Sequence, residues 1–257
     1  MTRASASLNE FSIFRKLRFF IVYPFVVWLF VTARTTERSL RLGIVLLAVG
    51  QAIRFWANGY VGHRKVGTSC MGTPKVGHIV TAGPYAFTRN PLYLGSMIIG
   101  FGFCVIVNNL WLGFSMIAGF YLIYGRKIAD EEAGLEKEWK KEFTVYRSAV
   151  PRWLPTWRRY PSRWGNWDWR GVAASKEWKT LVWVTATVIG LYFREEIFQE
   201  KESFFLPEEL FKHVLLFVVF VILVMGDGLY EVLKHRRKQR DREMKETTVS
   251  SSVGRND

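Results

Sequence analysis

The stretch PLYLGSMIIGFGFCVIVNNLWLGFSMIAGFYLIYG, Pro91–Gly125, decides the fold: it runs for 35 residues without Asp, Glu, Lys, Arg or His. About 20 residues suffice for one helical crossing of a bilayer, with a lower limit near 17. The stretch is therefore too long for one crossing and long enough for two short ones. Asn108-Asn109 lies at its middle. Asn is a poor helix-interior residue and a good turn residue, so the pair predicts a tight helical hairpin.

Working outward, the remaining apolar residues fall in four further uncharged runs: Phe19–Ala33, Leu42–Ile53, Thr180–Phe193 and Val214–Gly226. A soluble domain would spread them through amphipathic elements. Blocks separated by charged segments predict membrane spans. The two N-terminal runs reach spanning length if Arg18, Arg41 and Arg54 extend their charged ends to the interface, and Pro24 is expected to kink the first helix. The last two runs extend to about residues 178–194 and 211–231. The reading is an all-α polytopic helix bundle with about six transmembrane helices. Nothing near Ala4–Phe14 resembles a cleaved signal.

Charge orients the bundle. The Asn108-Asn109 turn is neutral, and residues 194–212 carry six Glu against Arg194, Lys201 and Lys212; both read as external. Residues 54–89, 126–179 and the tail from Lys234 are basic and read as cytosolic, with both termini inside. The loop Arg34–Arg41 is mildly basic and runs against this scheme. The net charge of +14 sits beside apolar runs, as expected at an anionic leaflet rather than on nucleic acid. Cys70 and Cys104 have no metal-like spacing and suggest no disulfide framework. Trp153–Trp169 holds five Trp among Arg and Pro, the composition of a segment at headgroup level. The tail, residues 234–257, is expected to be disordered after its first turns.

Chemistry is expected at the cytosolic ends of the hairpin, which antiparallel packing must bring together. One end carries Gly83-Pro84-Tyr85 and Arg89-Asn90-Pro91-Leu92-Tyr93, with Asn90 as N-cap and Pro91 in the first turn. The other carries Arg126-Lys127-Ile128-Ala129-Asp130-Glu131-Glu132. A cation and carboxylates converging at one membrane edge suit a zwitterionic ligand. Read on residue types alone, Arg89 is rather a membrane-edge anchor and Tyr93 an interfacial aromatic, and the acidic run a solvated helix face with Lys127 and Glu131 paired at i,i+4. The piece Val150-Pro151-Arg152-Trp153-Leu154-Pro155 reads either as a lid over this end or as an interfacial helix.

In order and spacing, Gly83-Pro84-Tyr85, Arg89-Asn90-Pro91-Leu92-Tyr93, Glu131-Glu132, Leu135, Trp139, Tyr146, Val150-Pro151 and Pro155 together resemble the isoprenylcysteine carboxyl methyltransferase family, and more distantly the phospholipid methyltransferases. The resemblance covers roughly residues 45–155. It implies an integral membrane enzyme that uses S-adenosylmethionine and takes a lipophilic small molecule or lipid-modified substrate from the bilayer. By position it implies His78, Ile79, Val80, Tyr85, Asn90, Pro91, Tyr93, Glu132 and Tyr146 as cofactor-binding residues. Arg126 or Lys127 would steer a substrate carboxylate, Arg89 would orient or brace, and Glu131 is the nearest proton acceptor for an amine substrate.

Three departures from the pattern stand out: Asn90 replaces a histidine, Lys140 a glycine and Phe143 a tyrosine. The expected division is residues 1–41 as an N-terminal segment and first helix, 42–160 as the methyltransferase core, 161–233 as the Trp-rich stretch with two added helices, and 234–257 as the tail. The expected location is multi-pass in a bacterial inner membrane or an endomembrane, in contact with membrane lipids. Two alternatives stay open: N-methylation of a phospholipid headgroup, and a non-enzymatic scaffold or transport subunit, for which Asp227 inside the last apolar run is the supporting feature.

Overall fold

A computed structural model describes residues 25, 27–61, 79–161, 163–175, 177–199 and 207–253. Most of the expected first span, together with His78 and Cys70, lies outside the described residues. The elements are α1 (Glu37–Val61), a 3-10 turn (Gly83–Ala86), α2 (Pro91–Val107), α3 (Leu110–Ala149), α4 (Trp169–Ser175), α5 (Glu177–Gln199) and α6 (Pro207–Val253). No strand occurs among the described residues, so the all-α expectation holds. Among the described residues two segments are long and apolar enough to cross a membrane, Glu37–Val61 and Leu210–Tyr230; Pro91–Val107 is apolar but shorter. Of the other expected spans, the first lies mostly outside the described residues, and the second arm of the hairpin and the Thr180–Phe193 run do not meet that description. α5 carries Glu177, Lys179, Arg194, Glu195 and Glu196, and the apolar part of α3 leads directly into the acidic run.

The hairpin turn forms at the predicted pair. Asn108 adopts a left-handed conformation (φ 54°, ψ 42°) and its N–H bonds back to α2, the helix-ending geometry that Asn tolerates. Asn109 caps α3, its side chain accepting from the Leu112 N–H at 3.2 Å.

Between α1 and α2 the contact is backbone to backbone. A Cβ on Gly43 would sit 2.8 Å from the Gly102 carbonyl oxygen, and one on Gly50 would sit 2.8 Å from that of Gly95. Seven residues separate the glycines on each helix, two helical turns, so two matching notches align on the antiparallel partner. Such close backbone approach gives the two helices van der Waals packing along the seam. Gly50→Leu is expected to lower the unfolding midpoint in detergent, at a cost of at least about 1–3 kcal/mol from overpacking; an unchanged midpoint would show the seam to be looser than this.

α3 is bent at Lys140, whose backbone lies at φ 20°, ψ −99°. This is the position where the sequence pattern has a glycine. The bend turns the last part of α3 back so that Phe143 and Tyr146 are fully buried, in a cluster with Ile79, Val80, Tyr85, Leu92, Leu135 and Val150. At Phe143 a phenol in place of the phenyl ring would need a buried partner, so the departure from tyrosine suits this core. A non-glycine residue in such a conformation costs about 1–3 kcal/mol. Lys140→Gly is therefore expected to raise the thermal midpoint slightly, the relief exceeding the entropy that glycine adds to the unfolded chain; a lowered midpoint would contradict the strain.

By internal packing the chain divides into two compact units, Met1–Thr180 and Leu181–Asp257. The Trp-rich stretch thus belongs with the first unit rather than with the added helices. In the second unit the Trp183 indole N–H donates to Asp227 Oδ2 at 3.3 Å, and the Tyr192 hydroxyl meets His213 Nε2 at 3.1 Å. α6 runs on to Val253, where the expectation was disorder after the first turns of the tail that begins at residue 234. Residues 231–247 are dominated by Glu, Lys, Arg, Gln and Met, which are strong helix formers.

Candidate functional site

The loop before α2, the acidic run of α3 and the segment after α3 meet at Glu132. The chain reaches this point by short, specific bonds. The Tyr146 hydroxyl, brought in by the bend at Lys140, donates to the Tyr85 carbonyl at 2.7 Å. The Arg89 N–H donates to the Pro151 carbonyl at 3.0 Å and the Thr156 N–H to that of Phe87 at 2.9 Å. Thr88 Oγ1 donates to the Trp153 carbonyl at 3.2 Å. Residues 150–160 are therefore fastened along residues 86–89, in the lid arrangement.

Glu132 is buried at 4% exposure, and both of its oxygens are engaged. Oε1 accepts from Asn90 Nδ2 at 3.3 Å and lies 3.4 Å from Arg89 Nη1. Oε2 accepts from Arg152 Nη2 at 2.6 Å and Nε at 3.1 Å. Two guanidinium groups thus share one buried carboxylate. Burial holds the Arg89 guanidinium below its ordinary pKa, and Glu132 offsets part of that shift. Arg89 Nε and Nη1 are buried without a hydrogen-bond acceptor. Buried polar groups are rarely left so, and a guanidinium fork is shaped for a carboxylate. The Trp139 indole N–H is likewise buried without an acceptor.

Asn90 stands at the head of α2, but its side chain makes no capping bond. It donates instead to Glu132 and to the Arg152 carbonyl at 3.1 Å. The expected capping role is therefore replaced by one in the site, and it is a role that needs no titrating group. Pro91 occupies the first turn of α2 as expected. Tyr93 points to α3: its hydroxyl donates to Glu131 Oε1 at 3.0 Å, its ring packs on Tyr124 with centroids 5.4 Å apart, and Lys127 Nζ lies 5.6 Å from its ring centre. Lys127 therefore reaches the Tyr93 ring, and Glu131 takes the tyrosine hydroxyl. Ile79, Val80 and Tyr85 are buried beneath the loop, and burial pushes the Tyr146 phenol above its ordinary pKa. Arg126 is exposed on α3. Read on residue types alone, the acidic run was a solvated face; the burial of Glu132 corrects that for this residue.

Two functional residues escaped the residue-by-residue reading. Arg152 was read only as part of an amphipathic piece, yet it is the closest partner of Glu132. Arg54 was read as an interfacial anchor, yet its guanidinium binds Glu177 in a two-pronged pair at 2.9 and 2.8 Å. It also donates to the Leu92 carbonyl at 3.2 Å and to Ser96 Oγ, so it braces the first turns of α2. A cavity of about 530 Å³ opens at the hairpin-turn end of the bundle, lined by Ser39, Leu42, Phe101, Asn108 and Phe114; it contains none of the motif residues. Among the described residues no group of three His, Cys, Asp or Glu is placed to hold a metal ion.

This geometry, a motif loop clasped to an acidic helix at one end of an apolar hairpin, sits in a recognisable stretch of chain. Residues 38–142 match the phospholipid methyltransferase family. That span overlaps the region whose motifs carried the resemblance, and the methyltransferase match includes Asn90, Tyr93 and Glu132 but stops short of Tyr146 and Arg152. The chain is 29% identical over 114 residues to the cobalt-zinc-cadmium resistance protein CzcN of Cupriavidus metallidurans, covering 44% of this chain and 46% of that protein. It is 27% identical over 114 residues to the nickel-cobalt-cadmium resistance protein NccN of Alcaligenes xylosoxydans xylosoxydans, covering 44% of this chain and 47% of that one. The chain thus spans about half the length of the curated relatives it matches. No solved structure matches it.

Proposed function

We propose that this chain is an integral membrane methyltransferase that uses S-adenosylmethionine and methylates an anionic oxygen or sulfur on a lipophilic substrate, isoprenylcysteine-like in chemistry. The observation that carries the reading is the buried group at Glu132: a carboxylate beside an arginine with spare, buried donors. That pairing fits the amino-acid end of the cofactor, its carboxylate at Arg89 and its ammonium at Glu132. Asn90, Tyr93, Tyr146 and the apolar floor of Ile79, Val80 and Tyr85 would hold the remainder. When bound, S-adenosylmethionine supplies an electrophilic methyl group.

The work of the chain's own residues follows from elementary chemistry. An ionised carboxylate or thiolate needs no general base, so replacement of the motif histidine by Asn90 removes nothing essential. Alignment and exclusion of water are what the protein must provide, worth about 7–11 kcal/mol in favourable cases. The segment after α3 provides both: its backbone fixes Phe87, Thr88 and Arg89, and Arg152 closes over Glu132. Arg126 and Lys127, at the membrane edge, would draw in an anionic substrate headgroup. In this reading the basic loops face the cytosol, which puts this end and both termini on the cytosolic side.

A second reading, N-methylation of a phospholipid headgroup, is favoured by the description of the matched family. An amine acceptor must lose a proton, and Glu131, already accepting from Tyr93, would be the group to take it. Membranes expressing the chain, supplied with methyl-labelled S-adenosylmethionine and fractionated into protein, extractable lipid and volatile products, separate the readings. Label in protein or in a base-labile volatile fraction, lost in Arg89→Ala, supports the first. Label in intact phospholipid selects the second. No transfer, and no binding of the cofactor by the purified protein, removes both and leaves a scaffold.

A further inference from the structure

The segment that clasps the site has a second face. Among the described residues it is fastened at one end of the bundle: Asp168 N–H to the Gly59 carbonyl at the end of α1, Thr81 N–H to that of Trp164, and Tyr160 N–H to that of Ala86, each at 3.0 Å. These anchor points are the last turns of α1 and the approach to α2, so the segment lies where the apolar helices meet water. It carries large exposed apolar side chains. Trp157 is 100% exposed, Trp169 73% and Leu154 70%. Between them stand the exposed Arg158, Arg159 and Arg163; Arg159 is steadied with its guanidinium 5.6 Å from the centre of the Phe87 ring.

We propose that this face is a docking surface for acidic phospholipid headgroups of the bilayer in which the chain itself sits, with Trp157, Leu154 and Trp169 entering the headgroup layer and Arg158, Arg159 and Arg163 pairing with its phosphates. Three lines carry it. The anchor points set the face at the edge of the apolar helices. Tryptophan, with an apolar ring and a polar N–H, is the side chain most at home at that depth. The arginines match an anionic surface, which attracts each basic residue near it. An acidic soluble protein would satisfy the arginines, but a solitary, wholly exposed Trp157 offers it no formed pocket.

The proposal does not rest on methyl transfer, and its test reads neither cofactor nor product. An environment-sensitive fluorophore is attached at Trp157→Cys in a Cys70→Ser, Cys104→Ala background. The full chain is reconstituted in bilayer discs of phosphatidylcholine alone, or with a third replaced by phosphatidylglycerol. The same label at Phe114→Cys, an exposed apolar position of the hairpin, reports correct insertion in both. Expected is strong shielding of the position-157 label from acrylamide in the acidic discs and weaker shielding without acidic lipid. Neutralising the arginines to Gln should weaken the acidic-lipid preference by about fivefold each. A label at 157 equally open in both discs while that at 114 is shielded, or shielding indifferent to the arginines, would overturn it.

Discussion

Glu132→Gln is expected to abolish methyl transfer and to lower the unfolding midpoint of the purified protein in detergent. The substitution keeps the shape and removes the charge that two guanidinium groups share. Arg89 is only 7% exposed and cannot turn to water, so it is left as a buried charge with its donors still unfilled. Removing one partner of a buried ion pair costs about 3–5 kcal/mol. Arg152 is the releasable partner, its side chain 40% exposed, so the lower end of that range applies to stability. If a loss of about 3 kcal/mol fell wholly on the reaction barrier, the rate would drop by more than about a hundredfold. Arg152→Met should cost much less in stability, because it leaves Glu132 with Arg89 and Asn90. Comparable midpoints for Glu132→Gln and the unaltered chain would mean that Arg89 does not depend on this carboxylate, and the proposed site would lose its central element.

What the sequence made legible follows from the range over which each signal acts. The hairpin turn was visible because Asn108 and Asn109 interrupt an uncharged run, and turn chemistry is local. The convergence of Arg89, Asn90 and Glu132 was visible because antiparallel helices of known length fix which ends meet. Arg152 was not singled out, since nothing in a basic, Trp-rich stretch marks one arginine as the one that reaches a buried carboxylate. The glycine seam was equally hidden: Gly43, Gly50, Gly95 and Gly102 are unremarkable in apolar runs until the two helices are aligned antiparallel. Lys140 shows the converse. Its place in a motif flagged a missing glycine, and the backbone there still takes the bent conformation that glycine would favour, so the surrounding packing of Phe143 and Tyr146 overrides the local preference. The helix through the tail was misjudged because high charge was weighed above the helix propensity of the same residues.

A pair whose two residues lie outside the motifs carries the other large expectation. Glu177→Ala should destabilise the chain by about 3–5 kcal/mol, read as a fall in the unfolding midpoint. Glu177 has a side-chain exposure of 5% and Arg54 of 18%, so the arginine left behind has little access to water within the apolar end of α1. Glu177 also sits in the first turn of α5, where a negative charge is favoured by the helix dipole, so its removal loses a second, smaller contribution. Arg54→Met should cost more than its own pairing, because the same guanidinium holds the Leu92 carbonyl and Ser96 at the head of α2. The decisive comparison is the double variant Arg54→Met, Glu177→Leu. If the single losses arise from stranded charge, the double variant recovers most of the stability, as apolar replacements of buried pairs commonly do. It should not recover full methyl transfer, since the turn of α2 that carries Asn90 and Tyr93 would have lost its brace. Recovery of both properties would reduce the pair to packing. Recovery of neither would mean that the pair's hydrogen-bond geometry, more than its charge balance, holds α1 and the head of α2 together.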